Sequence, residues 1–193
     1  FPRTSIDKYT TLILVSGSYN QLGKDEIKKI KKWVEKGNTL ITIARGSSWA
    51  INNELIDENL VESKEDSTHS RKNYVDASGF IGRERIGGVI LKADIDLTHP
   101  IAFGYNDNSI PVYKNNNVFT NKTKDDYSSV AVYSDDFHID GYISESNRKD
   151  YIPGSASLII SKIGSGRVVV FADNPNFRGT WYGTNKLFLN AIF

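Results

Sequence analysis

Neither cysteine nor methionine occurs anywhere in this chain. Without a thiol there is no disulfide, no thiolate nucleophile and no cysteine-held metal. Without a methionine, even at the start, the 193 residues are expected to be one domain excised from a longer protein, an expectation that the ending Ala191-Ile192-Phe193 inside a helical pattern shares. Long apolar runs are missing too. None approaches the roughly 18 residues of a membrane span, so no membrane-spanning segment is expected. The start Phe1-Pro2-Arg3-Thr4 lacks the basic, then apolar, pattern of a signal peptide. An excess of either charge is absent as well: 24 Lys and Arg against 23 Asp and Glu leave a net +1. That balance supplies no field to gather nucleic acid or an anionic membrane, and neither is expected as a partner.

What is present belongs to a globular protein: 39% hydrophobic and 24% charged residues, enough for one α/β core. Thr10 to Val15 is a compact uncharged run ending at Ser16-Gly17-Ser18, expected as a buried strand. Lys24 to Lys36 reads as a helix. Ile27, Ile30, Trp33 and Val34 lie on one side and lysines on the other, with Asp25 and Glu26 in the first turn and Gly37 after the last. A lysine row without interleaved aromatics or arginines is a solvated face rather than a nucleic-acid stripe. Thr39 to Ile43 is a second uncharged β-branched run. The spacing is that of a βαβ unit, which predicts a parallel sheet with a right-handed crossover.

The stretch Asn38 to Ala50 is the pivot. Strand residues run straight into Ala44-Arg45-Gly46-Ser47-Ser48, and Trp49 to Leu60 reads as a second helix. A tight turn at the carboxyl end of a parallel strand is where α/β enzymes place a nucleophile. Here the turn offers alanine and arginine instead. Residues 62–79 form a polar excursion or lid. Val89 to Ala93 is another strand, Asp107 to Pro111 a turn-rich link, and beyond it short strands take over: Val112-Tyr113, Val118-Phe119, Ser129 to Tyr133 and Ile139 to Ile143. Ala156 to Ile163 and Arg167 to Phe171 flank the hairpin signal Gly164-Ser165-Gly166. Thr184 can cap a C-terminal helix with Leu187, Phe188, Ala191 and Ile192 inward.

Three constellations carry possible chemistry. His99, with Asp94 and Asp96, reads as a catalytic base or metal ligand, or as a turn in which Asp96 or Thr98 caps a helical turn begun at Pro100. Asp136, His138 and Asp140 would share one face of an extended strand and suit a divalent ion, or are solvated carboxylates around a hairpin turn. Arg178, with Asn174, Trp181 and Tyr182, could grip a carboxylate or stack on a sugar, or Arg178 could tie its loop to an internal aspartate. A serine hydrolase fits poorly: Ser47 and Ser48 follow Gly46, but the pattern is not G-x-S-x-G.

Two stretches carry a family likeness. Tyr9 to Gly17, followed by the helix ending Trp33-Val34-Glu35-Lys36-Gly37-Asn38-Thr39-Leu40-Ile41, resembles the opening of class I glutamine amidotransferase-like domains. Gly164 to Phe171 through Asn174-Pro175-Asn176-Phe177-Arg178 and Gly183 to Ala191, together with Asp96 to Tyr105, is similar to the amidotransferase-like domain at the C-terminus of secreted zinc carboxypeptidases of Bacteroidetes-type bacteria. The resemblance implies a flavodoxin-like α/β fold: a mainly parallel central sheet flanked by helices, with an antiparallel extension in the second half, all in one domain spanning residues 1–193. It places the elbow cysteine at Ala44 and the His-Pro-Glu at Asn174, Pro175 and Asn176, so that no catalytic residue is expected. The zinc motif His-x-x-Glu is absent as well: His69, His99 and His138 are followed three residues later by Lys72, Ala102 and Gly141. Zinc, and proteolysis, are therefore expected only of an upstream peptidase domain, with no metal or cofactor here.

The expected function is a non-catalytic accessory module that packs against that peptidase or binds peptide or glycan, in a secreted or periplasmic setting. The alternative is a stand-alone amidotransferase-like enzyme with an unconventional, cysteine-free site. For a ligand, the expected contacts are Arg45, Ser47, Trp49, His99, Asn174, Arg178, Trp181 and Tyr182, at the carboxyl ends of the strands.

Overall fold

A computed structural model describes residues 5–62, 73–125 and 127–193. Its elements are β1 (Thr11–Leu14), α1 (Lys24–Glu35), β2 (Thr39–Ile43), α2 (Arg45–Asn52), α3 (Tyr74–Glu84), β3 (Val89–Ile95), β4 (Ser109–Lys114), β5 (Thr120–Asn121), β6 (Ser129–Gly141), β7 (Ser155–Ile163), β8 (Gly166–Phe171) and α4 (Tyr182–Ile192). Seven strands make one path, β1-β2-β8-β7-β6-β3-β4, and β5 pairs with β7 beside it. The α/β class is as expected. β1, β2 and β8 are parallel, with Leu12 opposite Leu40 and Leu40 opposite Val168. From β8 onward every pairing is antiparallel, which is the extension in the second half of the chain.

α1 forms for the reason its pattern gives. Ile30, Trp33 and Val34 are buried and the lysines face water, while Glu26 accepts the N–H of Gly23 at 3.0 Å ahead of the first turn. Gly37, at φ 112°, ends it in the left-handed region that a side chain would resist. The α1 side of the sheet buries Leu40, Val168 and Val170 with Ala50 and Ile51 of α2, and the α4 side buries Ile41, Ile43, Val169 and Phe171 with Leu187 and Ala191. β2 lies between β1 and β8 with both faces covered, so its uncharged run is the buried strand expected.

Several expectations are corrected. β1 neighbours β2 but sits at the sheet edge, so its α1 side buries Leu14, while on the α4 side Ile13 is exposed and Thr11 is half-buried, its hydroxyl donating to the Ile192 carbonyl of α4 at 3.5 Å. α2 begins at Arg45 and stops at Asn52, well short of Leu60, because Asn53 caps it and Glu54 turns to φ 54°. The acidic pair Asp135-Asp136 is no turn. β6 runs through it as a single strand, because pairing with β3 continues on both sides and the extra residues are absorbed as bulges. Val118-Phe119 precedes the short β5 rather than forming a strand, and β4 already starts at Ser109, inside the expected link. Thr184 caps nothing. α4 starts at Tyr182, and the Thr184 hydroxyl donates to the Pro175 carbonyl at 2.8 Å. Of the polar excursion, residues 63–72 lie outside the described residues. From Tyr74 it is helical, since α3 carries no buried residue but holds its turns to Glu84.

Candidate functional site at the elbow

The turn after β2 has the geometry that the sequence suggested. Ala44 adopts φ 49°, ψ −112°, a conformation L-residues avoid at a cost of about 1–3 kcal/mol. Neighbours enforce it. The Ala44 N–H donates to Phe171 at 2.8 Å, and the Ala44 carbonyl accepts from Ser47 and Ser48 at 2.9 and 3.1 Å. Gly46 follows where the chain must pass β1: a Cβ there would lie 2.4 Å from the Leu14 carbonyl oxygen. Thr42 and Ser47 complete the frame, 3.0 Å apart through their hydroxyls, with Ser47 donating to the Phe171 carbonyl at 2.8 Å. The elbow is therefore intact, strained and supported. Its side chain is a methyl only 2% exposed, packed into the α4-side core.

The eight ligand candidates do not converge on it. Arg45 is exposed beside the elbow, Ser47 is fully buried with its hydroxyl spent on the frame, and Trp49 packs on Tyr19 with ring centres 5.4 Å apart. Trp181 lies at the other side of the sheet, donating its indole N–H to Pro111 of the edge strand β4 at 3.2 Å. Five strand steps separate β2 from β4, about 24 Å at the usual spacing. Among the described residues Arg178 forms no tie to an aspartate: its guanidinium covers the Phe177 ring at 5.2 Å, Phe177 stacks on Tyr113 at 4.0 Å, and Tyr113 meets Trp181. Tyr182 is exposed. Asn174 accepts the N–H of Asn176 at 3.1 Å in a local turn. The cavity beside Asn174 and Pro175 holds about 10 Å³, room for no more than one water.

His99 belongs to the opposite end of the strands. It follows β3, and the charges acting on it are Asp96 and Arg167, the latter paired with Thr39 at the start of β2. The turn reading holds with one change: His99 itself caps the helical turn, its Nδ1 accepting from Ile101 at 3.2 Å, while Asp96 takes both the N–H and hydroxyl of Thr98. Burial holds the imidazole below its ordinary value near 6.5, Asp96 pulling up and Arg167 down. Because the folded form resists the proton, the native state binds fewer protons than the unfolded chain in that window. This contribution to stability is present above pH ~6.5 and is lost as the pH falls. In His99→Asn, which keeps a capping oxygen without a titration, the fall in melting temperature between neutral and mildly acid pH is expected to shrink; an unchanged slope would refute the assignment.

Asp136, His138 and Asp140 do not gather either. Asp136 pairs with Lys92, His138 Nε2 meets the Gly141 carbonyl at 2.8 Å, and Asp140 accepts the Gly141 N–H at 2.8 Å. The bulges against β3 break the alternation that would have aligned them.

What the sequence reading missed is a buried charged network on the α4 side. Lys114, wholly buried, donates to the Val118 carbonyl at 2.6 Å, Asp173 at 3.0 Å and Tyr133 at 3.3 Å. The other Asp173 oxygen accepts from Tyr133 and Ser157, each at 2.6 Å. All three ammonium protons are used. Burial lowers the Lys114 pKa against the opposing pull of Asp173, and burial, then Asp173, pushes the Tyr133 phenol well above its usual value. Sealed from solvent, the network ties β4, β6 and β7 to the turn after β8. One signal could have found it: Lys114 shares the parity of the inward Ile110 and Val112, while Pro111 takes the outward, edge-compatible phase.

No protein-family model and no curated protein sequence matches this chain. Solved structures do match its fold. PurLQS from Thermotoga maritima aligns at 15% identity over 98% of this chain and 82% of that one, with a TM-score of 0.57. A cytoplasmic protein of Salmonella typhimurium aligns at 13% over 97% and 72%, with 0.54. A ThuA-like protein of Parabacteroides merdae aligns at 12% over 98% and 71%, with 0.52. The chain has a glutamine amidotransferase-like fold, as the resemblance implied.

Proposed function

We propose that this is a non-catalytic, amidotransferase-like accessory domain. The observation that carries the reading is Ala44: the strained elbow is kept, yet it bears a buried methyl. A thiol-dependent amidotransferase needs a nucleophile at that position, and the chain has no cysteine. The two buried hydroxyls of the elbow frame are engaged, Thr42 with Ser47 and Ser47 with the Phe171 carbonyl. The likeness of Asp96 to Tyr105 and Gly164 to Ala191 to the C-terminal domain of secreted zinc carboxypeptidases supports a particular setting. There the domain packs against an upstream peptidase, which holds the zinc, or presents peptide or glycan to it outside the cytoplasm.

Purified protein is expected to turn over neither glutamine nor peptides with free C-termini. Ala44→Cys is expected to stay inactive, since the position admits no substrate. Turnover that survives repurification and disappears on replacing Ser47, Ser48 or His99 would overturn the reading. The setting is tested separately: the reading frame preceding the codon for Phe1 should encode a His-x-x-Glu zinc motif, and a frame without one removes the carboxypeptidase.

A further inference from the structure

The two edges of the sheet are finished differently. At β4 the outer side carries Pro111, which has no N–H, and its carbonyl is taken by the Trp181 indole. At β1 side chains take only the flanking carbonyls, the Trp33 indole donating to Tyr9 at 3.1 Å and the Tyr19 hydroxyl to Val15 at 2.6 Å, and no such group covers Thr11 or Ile13 among the described residues. Thr39 donates to the Thr10 carbonyl at 2.9 Å, which turns the backbone of even-numbered residues toward β2. The N–H and C=O groups of Thr11 and Ile13 then face outward, and among the described residues they have no partner. The run Thr10 to Val15 contains no charge, proline or glycine, the devices by which exposed edges resist pairing. Its side chains repeat the invitation: Ile13 is 38% and Val15 59% exposed on the α4 side, while Leu14 is buried on the other, and Tyr9 just before the strand is 51% exposed.

We propose that β1 pairs antiparallel with β1 of a second copy, about a two-fold axis at Leu12, joining two sheets into one. The strand is self-complementary in that register. Thr11 stands opposite the second copy's Ile13, and each exchanges both backbone hydrogen bonds with the other, which uses all four outward groups. Opposite β-branched side chains favour such a pair. The two Ile13 side chains, diagonal neighbours on that face across the axis, then cover one another's exposed surface. No charge faces a like charge within the run, and the same patch serves both copies, as a two-fold interface requires.

Sedimentation equilibrium of the whole chain at high micromolar concentration is expected to give twice the monomer mass. Ile13→Glu, at a site open enough to accept the carboxylate in the monomer, should return the monomer mass with the far-ultraviolet spectrum and melting temperature of the folded chain. Thr11→Lys/Ile13→Glu should restore the dimer, since each lysine then stands opposite a glutamate of the other copy. A wild-type chain that stays monomeric overturns the proposal and leaves the edge to an extended segment of some other polypeptide. A dimer indifferent to Ile13→Glu, or not restored by the double substitution, overturns the pairing.

Discussion

Lys114→Met is expected to destabilise the domain by about 3–5 kcal/mol, the usual consequence of removing one partner from a buried ion pair. Methionine keeps the volume of the stem, so packing is nearly conserved and the loss is electrostatic. Among the described residues Asp173, 4% exposed, would retain only Tyr133 and Ser157 as donors, with its charge uncompensated. For a domain whose total stability is about 5–15 kcal/mol, that is a large share. Lys114→Met/Asp173→Asn should recover much of it, because the amide oxygen still accepts from both hydroxyls and no net charge remains buried. Urea unfolding of the two single variants and the double gives the coupling directly, and additive losses would show that the pair is not the source.

The same network sets opposed slopes at alkaline pH. Lys114 titrates below its ordinary value when folded, so between that depressed value and about 10.4 the unfolded chain binds the extra proton and stability rises with pH. Tyr133 titrates above its ordinary value when folded, so beyond pH ~10 the native state keeps a proton the unfolded chain loses, and stability falls. Tyr133→Phe should lessen the fall, to which the burial-raised phenols of Tyr105 and Tyr19 also contribute, and leave the rise, read as melting temperature against pH.

Gly46→Ala is expected to cost about 3 kcal/mol or more, although it adds only one methyl. Its Cβ would press on the carbonyl oxygens of Leu14 and Val15 at 2.4 and 3.0 Å, atoms of the main chain that no rotamer change can move. α2 would have to leave β1, taking Ala50 and Ile51 out of the α1-side core. Two residues earlier the sign reverses. Ala44→Gly should be neutral or stabilising by up to about 1 kcal/mol, because glycine accepts a positive φ that alanine adopts under strain, offset by its freer unfolded chain. Thermal unfolding of the two variants side by side is the measurement. Equal losses at both positions would mean that Ala44 contributes packing rather than strain.

The parts of this protein legible in the sequence were those decided by near neighbours along the chain. The amphipathic period placed α1 and its buried Ile30, Trp33 and Val34, and uncharged β-branched runs placed β1 and β2 as adjacent strands. The strand-to-turn junction at Ala44 was visible because an elbow is a local event. What only the tertiary structure decided depended on which strand lay beside which. β1 and β2 look alike as sequence, yet one is enclosed and the other is an edge, since strand order is settled by β8 arriving from the far end of the chain. Asp135-Asp136 resembles a turn until β3 pairs across it. As sequence, His99 and Arg178 share one crevice because each follows a strand, but β3 runs opposite to β2 and β8, which carries His99 to the other end of the sheet. Lys114 reads as a surface lysine, and becomes a buried one only because Asp173, Tyr133 and the Val118 carbonyl converge on it. A charge can be buried where partners meet it, and those partners lie up to 59 residues away.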